Sequence, residues 1–385
     1  MTRSLKSILV VQTLYVITLT FNEIYLNLYF YSLFGDFRYV ILYTAFYFLF
    51  SILFSHLSYT MIKKNRSFKG NLRYSCVGGV LAFLYLSFVP VTGVMDLVFV
   101  GIGMGMFNGF FWSVVNLKVT NLEGGDEITD YFSYYYLIKQ AWSFFGPFLI
   151  ALSIWALGYD VSFLVVGLSL LLFLYHDTRM PKDSLPVPPS PSLPHQLRRL
   201  FPKHPTYFLA QGAKILFHQY TAILIIYFGI TITTNEWGLA FINASYALIL
   251  AVMIMLLPKR AHKGRRMVTG LFLILIPPLA LLVNTSALTL FSVSVCFVIG
   301  FYLYSTYFQA EQFEYIRYLP FESQLVFMYG REWMLNGTRA ITLLFLFSFW
   351  SNPWVVIAMG AIAVLSGFLS LHLLKKLSDQ PLSDD

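Results

Sequence analysis

The chain has 385 residues and a formal net charge of +8, with 58% hydrophobic and 11% charged residues. A soluble domain carries roughly 25% charged residues, and a folded surface already more than half apolar has no place for this excess. Its mean hydropathy of +0.68 makes lipid the solvent for most of the chain. That excludes a soluble enzyme and a nucleic-acid-binding domain, and turns the positive charge into a question of topology.

Arg3 and Lys6 precede an apolar stretch that runs to about Leu33. A signal peptide has a shorter apolar core and a small-residue cleavage site, so the stretch reads as a first spanning helix. A span needs about 20 apolar residues, and its backbone must be satisfied within the segment. The runs lack the alternation of barrel strands. The expected fold class is therefore an all-α integral membrane protein of about twelve transmembrane helices. They are expected over 8–33, 39–62, 72–94, 96–116, 131–157 and 159–177, then 206–230, 234–257, 267–284, 286–309, 324–350 and 353–374. Only Gly93 and Asp96 mark the division between the third and fourth.

Residues 178–205 hold eight of the sixteen prolines, the composition of a semi-extended linker. The expected domains are a six-helix bundle over 1–177, this linker, and a second six-helix bundle with a short tail over 206–385. With the N-terminus placed in the cytoplasm, twenty-one lysines and arginines fall on the inner side and Arg38 alone on the outer. Such an imbalance sets orientation, and predicts a multi-pass plasma-membrane protein with both termini cytoplasmic. The loop after the second helix of each half is basic, and the loop after the fourth is acidic: Glu123, Asp126, Glu127 and Asp130, then Glu311, Glu314 and Glu322. A repeated charge layout is the sign of a duplicated transporter.

Cys76 and Cys296 lie in apolar runs without CxxC or Cys/His spacing, so no metal site or disulfide framework is indicated. No nucleotide-binding GxxxxGK[ST] sequence is present; no cofactor is expected, and transport would draw on a gradient.

Ionisable groups within a span cost several kcal/mol, roughly, and face a cavity or a partner. Seven stand out: Glu23, Lys139, Lys214, His218, Arg331, Glu332 and Arg339. In the first helix Glu23 and Asn27 share a face beside Asn22. The carboxylate is a candidate for proton coupling, against a structural ion pair. In the fourth, Asn108, Trp112 and Asn116 form a stripe suited to solute contact or to interhelical packing. Lys139, in the fifth, faces a cavity or snorkels to the interface. In the seventh, Gln211, Lys214 and His218 share a face. Lys214 suits an anionic group, and His218 titrates near neutrality. In the eleventh, Glu332, Asn336 and Arg339 share a face while Arg331 points about 100° away. A buried pair there suits a conformational lock. Four cations against two carboxylates would favour an anionic or zwitterionic solute; the 18% aromatic content suits an amphiphilic one as well.

Two six-helix halves, a long linker and basic second-to-third loops resemble the major facilitator superfamily. The loop after the second helix, Ser55 to Lys64, keeps the terminal cations Lys63 and Lys64 of that family's signature. Lys263-Gly264-Arg265-Arg266 keeps the Gly-Arg-Arg end in the second half. Gly146-Pro147 looks like the core of the antiporter signature, and Arg331-Glu332-x-x-Leu335-Asn336-x-x-Arg339 looks like a pattern of some bacterial members. The resemblance implies a cavity lined by the first, fourth, seventh and tenth helices. It implies a monomeric secondary transporter of a small solute, coupled to protons through Glu23 or His218 and working by alternating access. The competing functions are a lipid or lipid-linked sugar flippase, and, in other classes, a membrane-embedded transferase or a transporter-like sensor.

Overall fold

The computed structural model describes the backbone of residues 3–65, 68, 70–120, 125–172, 174–175, 191–233, 235–256, 263–283, 286–317 and 319–378. Most of the linker (176–190) and the basic loop over 257–262 lie outside the described residues. Every regular element described is helical. Helix α1 (Arg3–Thr20) passes through a π-helical turn (Phe21–Leu26) into α2 (Asn27–Phe34), and the three form the first crossing. The first half continues with α3 (Phe37–Asn65), α4 (Asn71–Phe88), α5 (Val94–Thr120) and α6 (Gly125–Ser169). α6 is two arms joined at Gly158, whose φ of 77° lies in the left-handed region that glycine enters without steric cost. A short α7 (Leu193–Leu200) leads into the second half: α8 (Pro205–Thr233), α9 (Glu236–Leu256), α10 (Lys263–Val283), α11 (Ala287–Arg317), α12 (Phe321–Phe349) and α13 (Pro353–Ser378). Counting the first three helical pieces as one and α6 as two arms, the described residues form twelve long helical segments, six on each side of α7.

Six segments are long and apolar enough by themselves to cross a bilayer, among them Phe37–Asn65 and Trp354–Lys376. α12 falls outside that group because Arg331, Glu332 and Arg339 interrupt it, and its place in the bundle depends on what those charges meet.

Two expectations change and one holds. The division expected between the third and fourth helices is present, as a turn at residues 89–93. Asp96 closes it by accepting the backbone N–H groups of Thr92 at 2.7 Å and Gly93 at 2.8 Å. The acidic residues of the two expected loops are mostly on helices: Asp126, Glu127 and Asp130 in α6, and Glu311 and Glu314 in α11, which runs to Arg317. The semi-extended reading of 178–205 fails over Leu193–Leu200, which is helical with a proline in its first turn. A proline there removes no intrahelical hydrogen bond.

The halves meet along two seams, α3 against α12 and α6 against α9. Within the first half, α5 packs most intimately on α3, through Gly101, Gly105 and Gly109 at four-residue spacing. A Cβ on Gly105 would stand 2.6 Å from the Cβ of Phe50, and one on Gly109 would stand 2.7 Å from the carbonyl oxygen of Ser51. Lipid drives no hydrophobic collapse between helices, so such close backbone approach supplies the packing. Gly105→Val should therefore lower stability by about 1–3 kcal/mol through overpacking. Thermal melting of the detergent-solubilised protein checks this, with Gly93→Ala, which meets nothing within 4 Å, expected to melt like the parent.

Candidate functional site

The first part of the site is built on the π turn. In an α-helix the backbone N–H of Asn27 would bond the carbonyl of Glu23; here it bonds that of Ile24. The freed Glu23 carbonyl instead accepts the side-chain amide of Asn27 at 2.7 Å. Asn22, at the other end of the turn, accepts a hydrogen bond from the Tyr43 hydroxyl of α3. Asn22 and Asn27 are buried, whereas Glu23 is exposed. Glu23 nonetheless lies deep in the protein, with Lys139 of α6 and Arg339 of α12 as the charges that act on it. Its carboxylate thus combines accessible surface with the electrostatic influence of cations from both halves. A π turn is rare and tends to occur at functional sites; here it sets the height and direction of one carboxylate.

The stripe on α5 is tied to its neighbours. Asn108 accepts from the Tyr15 hydroxyl at 2.6 Å and donates to Ser51 Oγ at 3.0 Å. Trp112 Nε1 donates to the same Tyr15 hydroxyl at 2.8 Å, and the Tyr15 ring stacks on Phe111 with centroids 3.9 Å apart. Asn116, at the end of the stripe, reaches the other half: its Nδ2 donates to Glu332 Oε1 at 2.9 Å.

Glu332 is the junction of a chain of side chains along α12. Its Oε1 also accepts from Arg331 at 2.9 Å and its Oε2 from Asn336 Nδ2 at 3.2 Å. Asn336 Oδ1 in turn accepts from Arg339 at 3.2 Å. Arg331 and Glu332 are 8% and 4% exposed, so this is a buried ion pair. Glu332, Asn336 and Arg339 share one face, and the partner of the carboxylate is settled among the cations nearby. The adjacent Arg331, despite its angular offset, folds back onto Glu332, and Arg339 reaches the carboxylate only through Asn336. The guanidiniums also rest on aromatic rings, Arg339 over Phe48 at 4.8 Å and Arg331 over Phe313 at 5.8 Å, where the ring faces attract cations.

On α8, Gln211 and Lys214 are buried and His218 is half-buried. Lys214 Nζ stands 4.6 Å from the Phe308 ring centroid, and the His218 ring lies 4.3 Å from that of Phe301, so this face looks onto α11. The charges acting on His218 are those of Arg339, Lys214 and Lys139. Of the candidates, Asn116 joins Arg331, Glu332, Asn336 and Arg339 in one hydrogen-bonded chain across the halves, while Glu23 feels the charges of Lys139 and Arg339 and His218 those of Arg339, Lys214 and Lys139. Among the described residues, Gln211 Nε2 and His218 Nδ1 have no hydrogen-bond partner.

Sequence reasoning missed the tyrosines. Tyr15 organises the α5 stripe and Tyr43 holds Asn22. Tyr329 meets His56 Nδ1 across the halves at 3.0 Å. Tyr15 sits seven residues, about two turns, before Asn22, the one signal that tied it to the polar face. At the same end, Lys63 of α3 bonds the Pro191 carbonyl and Gln196 of α7 bonds Glu322 of α12. At the other end, Phe37 packs on Tyr227 and Trp350, with centroids 5.0 and 5.3 Å away, and the Tyr159 hydroxyl donates to Glu236 at 2.8 Å. Each end therefore carries its own contacts between the halves.

The whole chain superposes on solved transporters. A POT family transporter in complex with a thioalcohol conjugated peptide matches with a TM-score of 0.70 at 12% identity, over 98% of this chain and 97% of that chain. The fold is that of the POT family transporters. A POT family transporter in complex with 5-aminolevulinic acid gives 0.68 at 12% identity, covering 98% of this chain and 96% of the other. PepTSo, another POT family transporter, gives 0.65 at 12% identity and 99% coverage of both. This agrees with the major-facilitator-like architecture implied by the layout. Compared by sequence, the chain matches no family model and no curated protein.

Leaving one member of a buried pair uncompensated costs about 3–5 kcal/mol. Glu332→Gln alone should therefore melt well below the parent. Glu332→Gln combined with Arg331→Met should recover much of the loss, because it removes the stranded guanidinium. Thermal melting of the four proteins of this cycle measures the coupling directly.

Proposed function

We propose that the protein is a secondary transporter of the plasma membrane that moves a small solute by alternating access, coupled to protons through Glu23. The observation that carries this reading is the placement of Glu23: an accessible carboxylate on a π turn of the first half, on which charges from both halves, Lys139 and Arg339, act. The fold, shared with solute transporters, supports it. So does the presence of separate inter-half contacts at each end, since opening one end requires breaking only one set.

In this reading a proton on Glu23 cancels its attraction to Arg339 and Lys139 and loosens the link between the halves there. Deprotonation restores it. The proton and the movement are then coupled through one pair of charges, and the coupling is reciprocal. Glu23 fits the role better than His218, whose ring is held against Phe301 and Phe297. The solute class that fits is a small zwitterion, its amine toward Glu23 and its acidic group toward the cations of the second half. Two fold neighbours were solved with a thioalcohol conjugated peptide and with 5-aminolevulinic acid, which supports a small solute. The charge distribution of the sequence supports both termini lying in the cytoplasm.

The test is solute-dependent proton movement in liposomes loaded with a pH-reporting dye, using a panel of zwitterionic, anionic, neutral and cationic solutes. A zwitterionic or anionic class should move protons. Glu23→Gln should cut proton-driven accumulation by about tenfold or more, within the range of typical coupling energies, while retaining solute exchange at equal pH. Unchanged proton-driven accumulation in Glu23→Gln would remove Glu23 from coupling. Silence across the panel by a folded protein would turn attention to lipid translocation.

A further inference from the structure

Three side chains tether the π turn that carries Glu23. The Tyr25 hydroxyl donates to the backbone carbonyl of Pro147 in α6, in a buried hydrogen bond. The Tyr43 hydroxyl of α3 donates to Asn22 Oδ1. The Asn27 side-chain amide holds the Glu23 carbonyl at 2.7 Å. Phe21, first in the turn, is buried with its ring edge-on to those of Phe83 and Phe163, at centroid distances of 5.8 and 5.5 Å.

Residues one and two apart on a helix do not face each other. With Asn22 drawn to α3 and Tyr25 drawn to α6, the residue between them is turned elsewhere, and Glu23 is the exposed member of the turn. The place where Tyr25 meets α6 is itself irregular, because Pro147 stands inside that helix and has no N–H to return to the preceding turn. One hydrogen bond thus joins two departures from regular helix in the first half. Relaxation of the turn to the α form would restore the backbone bond from Asn27 to Glu23 and swing the carboxylate by up to about one residue step, roughly 100°.

We propose that Tyr25 is a positioning residue: its hydroxyl, together with that of Tyr43, holds the turn in its π form and so keeps the Glu23 carboxylate accessible. Neither tyrosine has to touch solute or proton, since Tyr25 acts through the Pro147 carbonyl and Tyr43 through Asn22. The consequence for transport rests on the reading of Glu23 as the coupling group. The placement of the carboxylate is a property of the fold and is tested separately.

The probe is dicyclohexylcarbodiimide, an apolar reagent that adds to the carboxyl groups it can reach. It is applied to the purified full-length protein at one fixed pH, and labelling of Glu23 is read by peptide mass spectrometry. Glu23 of the parent should label readily, while Glu332, 4% exposed, should resist. Tyr25→Phe removes one hydroxyl and keeps the ring; it should slow the labelling of Glu23 by about fivefold, the shift that loss of one hydrogen bond allows. Tyr43→Phe should act in the same direction. Tyr29→Phe, one turn beyond Tyr25 on the same crossing, should label like the parent. Melting curves show which variants are folded; if one of the Tyr25 and Tyr43 variants is lost, the other decides, and if neither folds the two bonds are structural and the proposal falls. A Glu23 that resists the reagent in the parent, or one that labels as fast or faster in the folded variants, would also overturn it. In liposomes Tyr25→Phe should lower proton-driven accumulation and add nothing to the loss caused by Glu23→Gln when the two are combined. Slower labelling with unchanged coupling would instead remove Glu23 from transport and leave the positioning role standing.

Discussion

Charge buried in a low-dielectric interior must be compensated locally, and in this protein the Glu332 carboxylate is where that compensation is concentrated. Its two oxygens collect Arg331 and Asn336 from its own helix and Asn116 from the opposite half. The burial of α12 depends on this arrangement, because a helix carrying Arg331, Glu332 and Arg339 has no stable place in lipid unless those groups are met. The contact between α3 and α12, one of two seams between the halves, follows from it. An ion pair in such a position contributes more to choosing one arrangement of the halves than to absolute stability, which is the property a moving interface needs.

Around that junction the polar groups divide by depth and by partner. The α5 stripe is largely consumed in holding α1 and α3 together through Tyr15 and Ser51, so its two upper members act as interhelical glue. Glu23 stands apart because the π turn releases it from ordinary helical packing and leaves it accessible. Lys214 stands apart for the opposite reason: it is buried, with its ammonium over the Phe308 ring. An accessible carboxylate in the first half and a buried lysine in the second make an asymmetric interior.

The contacts at the two ends of the bundle differ in chemistry. At the end where α3 finishes and α12 begins they are polar: His56 with Tyr329, Lys63 with the chain before α7, and Gln196 with Glu322. At the other end they are mainly aromatic, with Phe37 between Tyr227 and Trp350. Polar contacts exchange for water at small net cost, while separating an aromatic cluster exposes apolar area. Separating the halves would therefore meet different resistance at the two ends.

Length, hydropathy and the position of lysines and arginines were enough to determine an all-helical membrane protein of two six-helix halves. Each span must satisfy its own backbone and bury its own length of apolar chain, and those are local requirements written in consecutive residues. The same local logic identified the charged residues within spans, because a charge in an apolar run is conspicuous wherever it points. What the sequence did not reveal was pairing. Arg331 rather than Arg339 takes Glu332; Tyr15 rather than a solute takes Asn108 and Trp112; and Leu193–Leu200 forms a helix inside a proline-rich linker. These outcomes depend on side chains that approach from helices far away in the chain, as Asn116 does across 216 residues to reach Glu332. The π turn at Phe21–Leu26 belongs with them, since no residue in that stretch requires it locally, and it forms where Tyr43 and Asn27 are placed to satisfy the groups it releases. Only the tertiary structure decided these, because long-range electrostatics and packing choose among partners that helical periodicity treats as equivalent.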